Sequence, residues 1–204
     1  MPSTALGNLK NRLADIDQLL AAHTALTKLK KAEAAAKGGG LAKIIDVVNA
    51  LVNEPGVGRP AEVAALNRAA FVLLTAHFQG FVDELHREAA DHVLKGKVSS
   101  IDDVVKMVKP RNANPHVDVI EKMFSGLGCY EVMSSISWNK CSNVTVKKRL
   151  TDYIETRNKI AHGKQLVIKK YQVIAYKEYV ERLAEKLAST VSTKVKASLG
   201  KAPW

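Results

Sequence analysis

The chain has 204 residues and carries 31 Lys and Arg against 20 Asp and Glu, a net charge of +11. At 47% hydrophobic but only 5% aromatic, with Ala and Leu plentiful, it can bury a core and favours helices, which excludes a disordered chain and disfavours a sheet protein. No apolar run reaches the roughly 18 residues of a membrane span, and the positive surplus points to polyanionic partners, nucleic acid before acidic lipid.

The opening "MPSTALGNLKNR" lacks a basic region followed by an apolar core, so no signal peptide and a cytoplasmic location are expected. From about residue 4 to 36, Leu6, Leu9, Leu13, Ile16 and Leu20 recur at steps of three and four, the spacing of a helix with one buried face. "KLKKAEAAAK" continues that helix as a solvated surface until "GGG" at 38–40 stops it. A short tract, "LAKIIDVVNALV" at 41–52, predicts a second helix, and "NEPGVGRP" at 53–60 breaks the chain again. The third tract, roughly 61–95, has a wide apolar face built from Val63, Leu66, Ala70, Leu73, Leu74, Phe78, Phe81, Leu85 and Ala89.

Between 96 and 145 the pattern is broken. "SSIDDVVKMV" predicts a short helix with Ser100 as its cap and Asp103 in its first turn. "KPRNANPH" is a loop, in which Asn114 and Pro115 are expected to cap the next helix, and "VDVIEKMFSGLG" is that short helix, closed by glycines. Two further helices are expected at about 144–162 and 170–198, with "KQLVIKK" leaving room for one short strand pair around 164–169. Cys129 and Cys141 are the only cysteines. Their spacing would allow a disulfide, but without a secretory signal free thiols are the expectation. Two cysteines without a neighbouring His pair cannot close a zinc site, so no metal or other cofactor is expected. The predicted class is all-α.

On a helical wheel Val146, Leu150, Tyr153, Ile154, Ile160 and Ala161 fall within about 120° and form a stripe that must be buried. Lys148, Asp152, Glu155 and Lys159 lie opposite, as a solvated face should. Arg157 lies inside the apolar stripe. Burying an unpaired guanidinium costs several kcal/mol, so the bland accounts are a buried ion pair or a stem that snorkels near the helix end. The functional account is a cleft in which the guanidinium forks onto a phosphate. Asn158 and His162, four apart, share one flank of the stripe, and Gly163 stops the helix. A histidine near a helix C-terminus is favoured by the dipole alone. Arg157 and His162 sit about 140° apart on the wheel and do not converge within one regular helix.

"RNKIAHG" at 157–163 resembles the Arg-Asn-x-x-x-His-Gly form of the motif of HEPN-superfamily ribonucleases. "AAFVLLTAHFQGFVDELHREA" at 69–89 is similar to the first core helix of the RiboL-PSP-HEPN group, which includes bacterial defence and toxin nucleases. "NPHVDVIEKMFSGLG" at 114–128 is similar to that group's Asn-Pro segment, helix and Leu-Gly turn. The likeness covers about residues 8–195 in order, most firmly 66–190. It implies a HEPN-like helical bundle that dimerises and sets two copies of the motif across a composite cleft. It also implies a metal-independent endoribonuclease that cleaves RNA by 2′-OH attack. In that scheme His162 is the general acid/base, Arg157 stabilises charge on the phosphate and Asn158 orients the site. An antitoxin or a defence-complex partner belongs to the same expectation.

The chain departs from the group where an acidic residue often precedes the core-helix Phe, since Gln79 stands before Phe81 in "QGF". Gln79 can hydrogen-bond but cannot take a proton, so carboxylate assistance would fall to Asp83 or Glu84, whose bland reading is a solvated face. His77, His86 and His92 are expected as surface or core-edge residues. Trp138 has no assigned place. The candidate site is therefore Arg157, Asn158 and His162 for catalysis, with Lys159, Lys164, Gln79 and Glu84 contacting substrate. The expected organisation is a helical extension over 1–60 packed on a bundle over 61–198, with a tail over 199–204. Two other readings stand beside the enzyme: a non-catalytic HEPN-like module that binds nucleic acid or nucleotide or scaffolds a larger complex, and a helical structural protein. The latter leaves Arg157 unexplained.

Overall fold

A computed structural model describes residues 3–36, 48, 63–108, 114–200 and 203–204. Six helices are seen among the described residues: α1 (Thr4–Ala36), α2 (Ala64–Leu94), α3 (Ile101–Val108), α4 (Val117–Ser125), α5 (Asn143–Ala161) and α6 (Lys170–Leu199). The described residues form an all-α helical bundle. The helix predicted over 41–52, and the breaks around it, lie outside the described residues except for Val48.

Apolar spacing explains the packing. Leu9, Leu13, Ile16 and Leu20 line one face of α1 and join Leu74, Phe78, Phe81 and Leu85 of α2 in one core. Polar pairs show the direction of packing. Glu88 of α2 accepts from Ser3 Oγ and from the Thr4 and Ala5 amides, so a carboxylate from another helix caps the positive start of α1. Farther along, Arg12 meets Glu84 and Asp15 meets His77, so α1 and α2 run antiparallel. Lys177 bonds Asp17 and Lys170 bonds Thr24, which sets α1 antiparallel to α6 as well. α2 and α6 are parallel, joined by Asn67 Nδ2 to the Ile168 carbonyl and by Thr75 to Tyr176.

The stretch between α4 and α5 is irregular yet buried. Leu127, Cys129, Val132, Met133, Ile136 and Cys141 all enter the core. Glu121 accepts from the Val132 and Met133 amides, and Asn143 Nδ2 donates to the Met133 and Ile136 carbonyls, so the turn's polar groups are met from neighbouring helices. Both thiols are free and buried. Trp138 bridges to Cys141 and tilts against Tyr179.

Three expectations need correction. No strand pair forms at 164–169. The alternation is there, with Leu166 and Ile168 turned inward, but among the described residues no strand lies beside it, and the Ile168 carbonyl is taken by Asn67. His86 is not at the core edge: it is fully buried, edge-on to Phe124. Ala161 is exposed, because α5 ends there beyond the half-buried Ile160. His77 is buried at the α1 contact, while His92 is exposed beside the Trp204 ring.

Candidate functional site

α5 is set at both ends by its own sequence. Ser142 accepts from the Thr145 amide at the start. At the end Gly163 (φ +81°) reverses the chain, its amide bonding Ile160 and that of Lys164 bonding Lys159, the paired bonds of a Schellman stop. His162 is the residue on which the helix closes, and its side chain is exposed.

Val146, Leu150 and Ile154 are fully buried, and Tyr153 stacks on Tyr176 at 4.0 Å between centroids. Arg157, one turn beyond Tyr153, is half-buried. Its Nη1 donates to Asn158 Oδ1 at 3.2 Å, and Asn114 Nδ2 donates to the same oxygen at 3.0 Å. Arg157 Nε is buried with no hydrogen-bond partner among the described residues. Burial pushes the Tyr176 hydroxyl well above the ordinary phenol range, against the hydrogen bond it shares with Thr75 and the nearby positive charge of Arg157. The guanidinium therefore sits at the margin of an aromatic core formed by Phe71, Tyr153 and Tyr176. One amide oxygen holds it, and no carboxylate pairs with it among the described residues. The buried-ion-pair account is not what the geometry offers.

Asn114 differs from expectation. His116 occupies the N-cap of α4, and the Asn114 side chain reaches instead to Asn158, joining the Asn-Pro segment to the motif helix. The sequence signal was an asparagine in a loop, and loop asparagines more often bond their own backbone. Only its position in space assigns it to this group.

The other candidates are dispersed. Lys159 and Lys164 are exposed near the end of α5. Gln79 is half-buried on α2, one turn beyond Thr75. Glu84 is bound to Arg12 and Asn8 of α1, so the structure gives its carboxylate to the α1–α2 contact and not to Arg157. Among the described residues no three His, Cys, Asp or Glu side chains group as metal ligands do. No helix among them is long and apolar enough to cross a membrane.

A family model, RiboL-PSP-HEPN, matches residues 41–193, well over half of the chain. The chain belongs to the RiboL-PSP-HEPN family. No curated protein and no solved structure matches it. The matched span takes in α2 to α5 and most of α6, and so both the Asn114 segment and the Arg157–His162 helix of this RiboL-PSP-HEPN domain. α1 precedes it.

Proposed function

We propose that this RiboL-PSP-HEPN protein is a metal-independent endoribonuclease of a bacterial defence or toxin–antitoxin system, working at a composite site between two copies of the chain. The observation that carries the reading is Arg157. A guanidinium held by Asn158 at the edge of an aromatic core, with no carboxylate partner among the described residues, suits a phosphate arriving from outside. Asn114 and Asn158 would fix its direction before substrate binds. His162, exposed at the helix stop, would exchange protons with a bound strand.

In this reading the RNA 2′-oxygen attacks the adjacent phosphorus and loses its proton to an imidazole. The P–O5′ bond breaks, and the leaving oxygen is protonated. The products are a 2′,3′-cyclic phosphate and a free 5′-hydroxyl. Arg157 stabilises the charge that builds on the phosphoryl oxygens. Two facing copies of α5 would bring Arg157 and His162 to one phosphate, which a single helix does not. The +11 charge supports an RNA partner.

A second reading, a non-catalytic module that binds nucleic acid or nucleotide or scaffolds a larger complex, has one observation in its favour. Glu84 is committed to Arg12 and Gln79 cannot take a proton, so neither of these two core-helix positions supplies a free carboxylate. The deciding experiment incubates labelled RNA with the purified protein in EDTA, beside Arg157→Ala and His162→Ala. The enzyme reading expects cyclic-phosphate ends, blocked by a 2′-deoxy nucleotide at the scission point, with rates down roughly 100-fold or more in both variants. Equal cleavage by wild type and His162→Ala would sink it, and binding without cleavage would favour the module. Sedimentation showing only a 22.2 kDa species at micromolar protein would count against the composite site.

A further inference from the structure

The α5–α6 connection carries a surface that the chemistry above does not use. Leu166 and Ile168 turn into the core, and Asn67 pins the Ile168 carbonyl at 2.9 Å. Val167 and Lys169, which alternate with them, are thereby held outward, and Tyr171 follows in the first turn of α6. Val167 is 55% exposed and Tyr171 62%. Lys169 Nζ lies over the Tyr171 ring, 5.6 Å from its centroid. The Tyr171 ring, on an anchored backbone beside the exposed Val167, is a surface that a planar ligand can cover.

Charge identifies the occupant. Residues 156–177 contain no Asp or Glu but include six Lys and Arg: Arg157, Lys159, Lys164, Lys169, Lys170 and Lys177. Lys170 and Lys177 are tied to α1 through Thr24 and Asp17. Lys159, Lys164 and Lys169 make no ion pair among the described residues. A symmetric contact centred on this connection would set Lys169 of one copy against Lys169 of the other, with no acidic residue of 156–177 to offset them, whereas a strand of RNA meets the same charge with phosphates. A double-stranded RNA hides the faces of its bases inside the stack. A single strand offers both a row of phosphates and open base faces.

We propose that Tyr171, with Lys169 over its ring and Lys164 earlier on the same connection, is a ledge on which one unpaired base of a single-stranded RNA stacks while the lysines hold the strand's phosphates. Tyr171 lies nine residues beyond His162 on the connection that leaves the motif helix, so the ledge would select the unpaired region that reaches the cleft. What becomes of the bound RNA rests on the ribonuclease reading; the ledge itself does not.

The test measures anisotropy of a fluorescein-labelled single-stranded RNA carrying 2′-O-methyl groups throughout, which binds but cannot be cut, against the full chain. Tyr171→Ala should weaken Kd roughly ten-fold or more, while Tyr171→Phe, which keeps the ring, should stay within about two-fold. Lys164→Ala and Lys169→Ala should each flatten the slope of log Kd against log salt by about 0.7. Because Tyr171 is exposed, unchanged circular dichroism is expected for every variant. Wild-type affinity in Tyr171→Ala, or no RNA binding by the wild type, overturns the ledge. So does a Tyr171→Ala that changes sedimentation but not RNA affinity, which assigns the ring to a second copy. Cleavage of unmodified RNA is scored separately. Tyr171-dependent binding without cleavage keeps the ledge and removes the nuclease, and intact cleavage with Tyr171-independent binding does the reverse.

Discussion

Asn158 Oδ1 accepts from two donors, Asn114 Nδ2 and Arg157 Nη1, so a loop and a helix meet on one oxygen at the candidate site. Arg157 on an apolar stripe was legible from helical spacing, since its position relative to Leu150 and Ile154 follows from the pitch alone. Its partner was not, because Asn114 lies 44 residues away from Asn158. Removing the loop donor should leave the fold intact and disturb the direction of the guanidinium. Asn114→Ala is expected to lower the RNA-cleavage kcat roughly ten-fold with a smaller change in KM, the effect of a misaimed group on an otherwise intact site. The same variant should lose no more than about 1 kcal/mol of stability for one part-buried hydrogen bond. Steady-state kinetics beside a urea titration checks both, and unchanged kcat would remove Asn114 from the site.

Among the elements, α5 was the most legible. Its start at Ser142 and its stop at Gly163 are local chemistry, a hydroxyl that caps an amide and a residue without Cβ where φ is +81°. Gly163→Ala meets no atom within 4 Å, so its cost is backbone strain alone, about 1–2 kcal/mol. The expected outcome is a lower urea midpoint at unchanged slope, with RNA cleavage reduced because His162 rides on that turn. An equal midpoint would show that the helix stop tolerates a side chain. The 164–169 segment failed as a strand for a physical reason. Period-two alternation describes an extended chain with one buried face, and a ladder also needs a neighbour, which only the tertiary arrangement could supply.

At the scale of the whole molecule, α1 docks through apolar residues and through titratable pairs that sequence spacing does not reveal. Burial lowers the pKa of His77, with Asp15 opposing and Arg12 adding to the fall. Burial likewise lowers His23, and the charge of Lys170 acts in the same direction. Both imidazoles resist protonation in the folded state, so the unfolded chain takes up protons first as pH drops. Their contribution to stability is therefore complete above pH 6.5 and is lost as pH falls below it towards the folded values. Urea midpoints should fall between about pH 7.5 and about pH 5.5, and a His23→Gln, His77→Gln double variant should show a shallower fall. Equal slopes for the two proteins would place the acid sensitivity elsewhere.

The helices, their faces, the caps of α5 and the odd placement of Arg157 were determined by the sequence itself, because each depends on contacts within a few residues or on helical pitch. The tertiary structure decided which polar groups meet. It gave Glu84 to Arg12, Asn114 to Asn158 and the Ile168 carbonyl to Asn67, and it buried His86 while leaving Tyr171 in solvent. Those pairings join residues far apart in the chain, and many alternative partners of the same chemistry were available to each. Only the packing of the apolar faces, which drives the helices together without regard to polar partners, selects among them.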